Sequence, residues 1–185
     1  DRARARKQGA QDASRSGIGD VARVLLIHTF SHQLNKTDMH IRSLTPQTFS
    51  DARLQLVELL RDTVAHGASV GFLAGLDAGE ANAYWDGVGQ ALKDGSRLVF
   101  VAVDGGQMLG SVQLDLCQKR NGVNRGEVQK LIVHSAARRR GAATALMMAL
   151  EEEARARERG VLFLDTEAGA PAEMLYRGLG FTFIG

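Results

Sequence analysis

The sequence predicts an α/β domain with one mixed sheet and helices on both of its faces. Three observations carry this. Short runs rich in strand-forming residues, such as "RLVFVAV" and "VLFLDTE", alternate with longer stretches whose apolar residues recur at helical spacing. "DGG" joins "RLVFVAV" to "QMLGSVQLDLCQ", the short glycine turn of an antiparallel hairpin. The strands at 127–133 and 161–166 are joined through a helix, which makes them parallel neighbours with a right-handed crossover.

The elements follow in order. Residues 1–38 read as an N-terminal extension, disordered or weakly helical. Residues 1–20 are rich in Arg, Ala, Ser and Gly, with almost nothing to bury. Residues 20–38 can form one weak helix, on which His28 and His32 share a face at metal-ligand spacing. No third ligand accompanies them, so no metal site is expected. The domain proper runs over 39–185. "MHIRSL" alternates like a strand. "TPQTFSDARLQLVELLRDTVAHG" is a helix with Pro46 early and Gly67 at its end. "GASVGFLAGL" is a loop of unusually apolar character. "DAGEANAYWDGVGQALKDG" opens on Asp77 as a cap, with Glu80 three residues on. After the hairpin, "KRNGVNRG" is a polar loop and "EVQKLIV" a third strand. The helix at 139–159 carries Ala142, Ala145, Leu146, Ala149 and Leu150 down one side. "VLFLDTE" is apolar enough to be buried on both faces. "PAEMLYRGLG" is a short helix, and "FTFI" begins a last strand.

Bulk properties limit the function. A chain of 185 residues with 44% apolar content suits one domain with a sizeable core. A net charge of +2 argues against nucleic-acid binding, so any basic site is local. The single cysteine, Cys117, forms no internal disulfide and fits the reducing cytoplasm. No apolar run approaches the roughly 18 residues of a membrane helix.

Arg138, Arg139 and Arg140 stand where a helix begins, the end at which the helix dipole disfavours cations. An anion at that end resolves the conflict. Free N–H groups of the first turn and guanidinium groups together make a phosphate clamp. Gly141, Ala142 and Ala143 are small enough for close approach, and Thr144 adds a hydroxyl. The loop lacks the GK[ST] of a P-loop and the G-x-G-x-x-G of a dinucleotide fingerprint. A solvated arginine cluster is the plainer alternative.

Arg138-x-x-Gly141-x-Ala143, after a strand and opening a helix, resembles the acetyl-CoA pyrophosphate loop of the GNAT acetyltransferase superfamily. There the pattern is Gln or Arg, two residues, Gly, one residue, then Gly or Ala. "EVQKLIV" resembles the fourth strand of that family, and "AEMLYRGLGF" its helix and strand carrying the Leu-Tyr pair. "GASVGF", "EVQKL" and "LDTEAG" resemble more narrowly the members that inactivate tabtoxin-type β-lactam toxins. The resemblance covers about residues 39–185 and implies a GNAT-like mixed sheet. The last strand of that fold has no counterpart here. Residues 161–166 would then present an open edge, and such an edge invites a second copy, so a homodimer is one expectation. Exposed amides at 161–166 and reduced solubility would accompany it.

The resemblance implies acetyl transfer from acetyl-CoA to the amine of a small molecule, with no metal. Backbone groups of Leu131, Ile132 and Val133 would hold the pantetheine arm, and the loop from Arg138 to Thr144 the pyrophosphate. Gly169 stands where the family often has Asn, which departs from one pantetheine contact. Glu127, at the start of a strand leading to the loop, is a candidate base from its residue type and takes the family's base position. Asp165 ends the next strand and is a second candidate. Tyr176 stands where the family keeps the acid that protonates the CoA thiolate. Trp85 and Glu167 are candidate acceptor contacts, against core packing for the first and solvation for the second. His134 either meets the cofactor loop or ends a strand. Two alternatives stay open: the same chemistry on another amine, such as an amino acid, polyamine, aminoglycoside or protein N-terminus, and a CoA-binding module without catalysis.

Overall fold

The computed structural model describes residues 21–26, 38–68 and 70–184. In chain order the elements are β1 (Val21–Leu26), β2 (His40–Ser43), α1 (Pro46–Ala65), α2 (Ala78–Lys93), β3 (Arg97–Asp104), β4 (Gln107–Leu116) and β5 (Arg125–Val133). A 3₁₀ turn (Ser135–Ala137), α3 (Ala142–Ala156), β6 (Val161–Glu167), α4 (Pro171–Gly178) and β7 (Phe181–Phe183) complete the chain. The strands form one sheet in the order β2-β3-β4-β5-β6-β1-β7. Among the described strands only β5 and β6 run parallel, as the helical crossover between them requires.

Side-chain alternation along β3 sorts the helices onto two faces. Val99, Val101 and Val103 pack with Leu56, Leu60, Trp85 and Val88 of α1 and α2. Leu98, Phe100 and Ala102 pack with Leu146 and Leu150 of α3 and with Tyr176 of α4. The local signals explain the helix ends. Thr45 and Thr48 cap each other at the start of α1, with Pro46 in the first turn. Asp77 accepts from the Glu80 N–H at 2.8 Å to start α2. The β3–β4 turn needs positive φ at two successive residues, and Gly105 (56°) and Gly106 (83°) supply it.

Four expectations are corrected. Residues 21–26 form a strand rather than part of a helix; "VARVLL" has weak local preference, and pairing with two neighbours decides it. His28, His32 and residues 1–20 lie outside the described residues. The edge of β6 is not open, because β1 pairs with it antiparallel from Val21 opposite Glu167 to Leu26 opposite Leu162. β1 also pairs with β7, so the sheet recruits chain from before residue 39. β6 is not buried on both faces: Leu162, Leu164 and Thr166 point inward while Asp165 and Glu167 are exposed. Finally, α3 starts at Ala142 and not at 139, since Arg139 (φ 61°) and Gly141 (φ 84°) are left-handed and cannot lie in a helix.

Candidate active site

β5 and β6 are hydrogen-bonded only where Arg125–Glu127 face Val161–Phe163. Beyond Glu127, β5 runs on to Val133 with β4 alone as its ladder partner. Two parallel strands that begin paired and then part leave an opening at their carboxyl ends. Leu131, Ile132 and Val133 line it with backbone groups that no strand on that side takes up. A bulge contributes. Ser111 faces Ile132 and Gln113 faces Gln129, so Val112 alone opposes both Lys130 and Leu131. Lys130 takes up the extra residue with a φ of 47°. Such bulges bend a strand and re-aim a side chain.

The arginine loop closes the head of this opening. Gly141 is the N-cap of α3, and it offers no side chain to the first-turn N–H groups of Ala142, Ala143 and Thr144. Arg138, Arg139 and Arg140 are all exposed just before that turn. Arg140 pairs with Asp104 at the end of β3, at 2.7 Å, whereas Arg138 and Arg139 make no ion pair among the described residues. Asp62 of α1 fastens the start of the loop by accepting from both the N–H and the hydroxyl of Ser135, each at 2.7 Å. Burial raises the Asp62 pKa, but these two bonds and the nearby His134 and His66 outweigh it and hold the carboxyl below its usual range. His134 also accepts from the Ala136 N–H through Nδ1, at 3.2 Å, so it caps the 3₁₀ turn.

A splayed parallel strand pair, with a small-residue helix start and free arginines at its head, is an arrangement for an extended phosphate-bearing ligand. Residues 58–181 match the model of the acetyltransferase (GNAT) family. The chain belongs to the GNAT acetyltransferase family. It is therefore an acyltransferase enzyme, and the family uses acetyl-CoA. Solved structures share the fold. A ribosomal-protein-alanine N-acetyltransferase from Brucella melitensis is 26% identical with a TM-score of 0.62, over 79% of this chain and 86% of that one. An N-acetyltransferase from Staphylococcus aureus Mu50 is 18% identical with a TM-score of 0.64, over 80% and 86%. An aminoglycoside acetyltransferase from an uncultured soil metagenomic sample, in complex with sisomicin, is 14% identical with a TM-score of 0.58, over 77% and 87%.

The candidate residues of this acetyltransferase come from both faces of the sheet. Val128 and the small Gly126 face Leu114 and Leu162 on the α3 and α4 side, so Glu127 between them points to the α1 and α2 side. It is half-buried, opposite Asp115 on β4 and Phe163 on β6. Asp165 lies on the same face of β6, further toward the open end, and is exposed. Glu167 is exposed at the end of β6. Tyr176 comes from the other face. It is 7% exposed, its ring edge-on to Phe181 at 5.7 Å, and burial pushes its phenol to about 12. Trp85 is 0% exposed, packed between Phe49 and Tyr84, so it has no surface to offer an acceptor.

Tyr84, the neighbour of Trp85, is the aromatic that reaches the polar face. Its hydroxyl accepts from Gln113 Nε2 at 2.8 Å, and Gln113 is 0% exposed. Arg97 donates to Gln113 Oε1 at 3.3 Å and pairs with Asp115. Lys130 stands beside them. Tyr84 stands beside Trp85 on a helix that the resemblance places at the acceptor site, whereas Arg97, Gln113, Asp115 and Lys130 escape a reading of the sequence because cross-strand register, not spacing, brings them together. Asp62 likewise meets Ser135 only through packing. Among the described residues no cluster of His, Cys, Asp or Glu could hold a metal ion, and no helix is long and apolar enough to cross a membrane.

Proposed function

We propose that this enzyme transfers the acetyl group of acetyl-CoA to the amine of a small molecule within a ternary complex. The observation that carries the proposal is the opening between β5 and β6 with the uncapped start of α3 at its head, Glu127 lying on the α1 and α2 face of the sheet and Tyr176 on the α3 and α4 face. The residues fit the co-substrate: an extended arm can complete the free edge at Leu131–Val133, and Arg138, Arg139 and the N–H groups of Ala142–Thr144 can take a pyrophosphate.

The chemistry follows from what each group can do. Acetyl-CoA supplies a thioester. The acceptor arrives mostly as an ammonium at pH 7, because alkylamines have a pKa near about 10.4. Glu127, assisted by Asp165, accepts that proton. The freed nitrogen lone pair then forms a bond to the acetyl carbon, and the carbon–sulfur bond breaks. Backbone N–H groups at Leu131–Val133 stabilise the charge that develops on the carbonyl oxygen. The departing sulfur takes the Tyr176 proton, and the second proton, shed by the nitrogen as it becomes an amide, restores the phenol. With its phenol held at about 12, Tyr176 carries that proton across the whole working pH range.

"GASVGF", "EVQKL" and "LDTEAG" favour a tabtoxin-type β-lactam toxin as acceptor, through their likeness to the tabtoxin resistance acetyltransferase. Inactivating such a toxin would make the enzyme a resistance factor. The fold shared with an aminoglycoside acetyltransferase makes aminoglycosides the second class to test. Release of free thiol from acetyl-CoA, measured with each amine and without, tests the reading. Acetyl-CoA binding with no amine-dependent release from any small amine would reduce the protein to a CoA-binding module.

A further inference from the structure

Lys130 is the least explained group near the site. The bulge gives it a left-handed backbone (φ 47°), a conformation that a non-glycine residue avoids unless its surroundings impose it. Its ammonium is thereby placed over two rings, 5.5 Å from the centroid of Phe72 and 5.7 Å from that of Tyr84. Phe72 comes from the apolar loop between α1 and α2, and it meets Tyr84 edge-on at 5.2 Å. Tyr84 is in turn held by buried Gln113. The pocket around the ammonium is therefore built from three separate parts of the chain.

Two ring faces and the charge of Glu127 are what the described residues offer the ammonium. Its three N–H donors have no hydrogen-bond acceptor and no ion-pair partner among the described residues. Neighbouring Arg97 is neutralised by Asp115, so the cluster's one carboxylate in direct contact with a cation is already taken. Burial lowers the Lys130 pKa and Arg97 adds to that, while Glu127 only partly offsets them. A half-buried cation on aromatic rings, lacking an anion, is a place where an anion from outside is welcome. Glu127 on the same face offers the opposite sign, for the amine.

We propose that Lys130 anchors a carboxylate of the acceptor, so that the substrates of this enzyme are amines that also carry a carboxylate, with the amine turned toward Glu127. This rests on the reading of the site as an acetyltransferase for small amines. The test uses pairs that differ in that one group: L-lysine and L-lysinamide, L-threonine and L-threoninamide, glycyl-L-lysine and its amide. Binding of each to the CoA-loaded protein is measured by calorimetry for the parent, K130M and K130R, and comparison between variants cancels the difference in amine basicity within a pair. The expected result is at least ten-fold tighter binding of the carboxylate member of one or more pairs. K130M should erase that margin and K130R should keep part of it, with the unfolding midpoints of both variants close to the parent's. Equal binding within every pair, no binding of any carboxylate member, or a K130M loss that falls equally on acid and amide would overturn it. Thiol release separates this from the parent reading. Carboxylate-selective binding without acetylation would sink the transfer chemistry and leave the Lys130 anchor standing, whereas acetylation indifferent to the carboxylate would do the reverse.

Discussion

Arg138 and Arg140 carry the same charge two residues apart and meet different partners. Arg138 is free to bond a phosphate, and R138A should weaken acetyl-CoA binding by about 1.5–3 kcal/mol, the usual worth of a charged hydrogen bond. Arg140 is shared with Asp104, so D104A should change acetyl-CoA affinity far less, since exposed pairs contribute about 0–1 kcal/mol. Calorimetry with acetyl-CoA checks both, and an R138A affinity equal to the parent's would remove the loop from the cofactor site. At Glu127, replacement by Gln keeps the shape and removes the proposed base. Turnover should fall with acetyl-CoA affinity kept, and the deficit should shrink at high pH where free amine is abundant. Tyr176 makes a stability prediction. Its folded pKa of about 12 lies above the unfolded value of 10, so the folded state holds the proton more tightly. The resulting stability is fully present below pH 10 and is lost as pH rises toward 12, on the order of 2–3 kcal/mol. Denaturation curves from pH 8 to 11.5 should show this loss in the parent and less of it in Y176F.

At the scale of elements, β5 does two jobs, and the bulge at Lys130 separates them. Its first residues bind β6 and close the sheet; its last residues are kept free of β6 and open the site. The turn that follows needs an anchor, because a loop with three adjacent arginines repels itself. Asp62 of α1 is that anchor, through Ser135. D62A should remove about 1.5–3 kcal/mol of stability, as expected for bonds to a charged group, and should also raise KM for acetyl-CoA by loosening the loop. Thermal melts and steady-state kinetics read the two effects. A lowered melting point with unchanged KM would make Asp62 a purely structural residue.

At the scale of the whole molecule, β1 is the element that holds the far side of the sheet together. β6 and β7 do not pair with each other; β1 lies between them and bonds to both. Removing residues 1–26 should therefore release two ladders at once. Amide exchange in 162–167 and 181–183 should be slow in the full chain and fast in the truncated one, which should also associate through its bared β6 edge. Equal exchange in the two proteins would show that β1 does not occupy this place in solution.

Local chemistry was legible in the residues. Thr45, Pro46 and Asp77 mark helix starts, Gly105 and Gly106 mark a hairpin, and the period of two against three to four sorts strands from helices. The placement of the loop from Arg138 to Thr144 before a helix, of Glu127 on a strand and of Tyr176 on a helix was legible too, because motif spacing survives without knowledge of what packs where; the roles given to them belong to the proposed function. Long-range choices were not. Whether "VARVLL" becomes helix or strand depends on an edge supplied by residues about 140 positions away, and no local preference encodes that. Trp85 and Tyr84 are adjacent in sequence, yet only packing decides that one fills the core and the other turns its hydroxyl to Gln113. Lys130 gained its place from a one-residue mismatch between two strands, a property of their pairing and of neither strand alone.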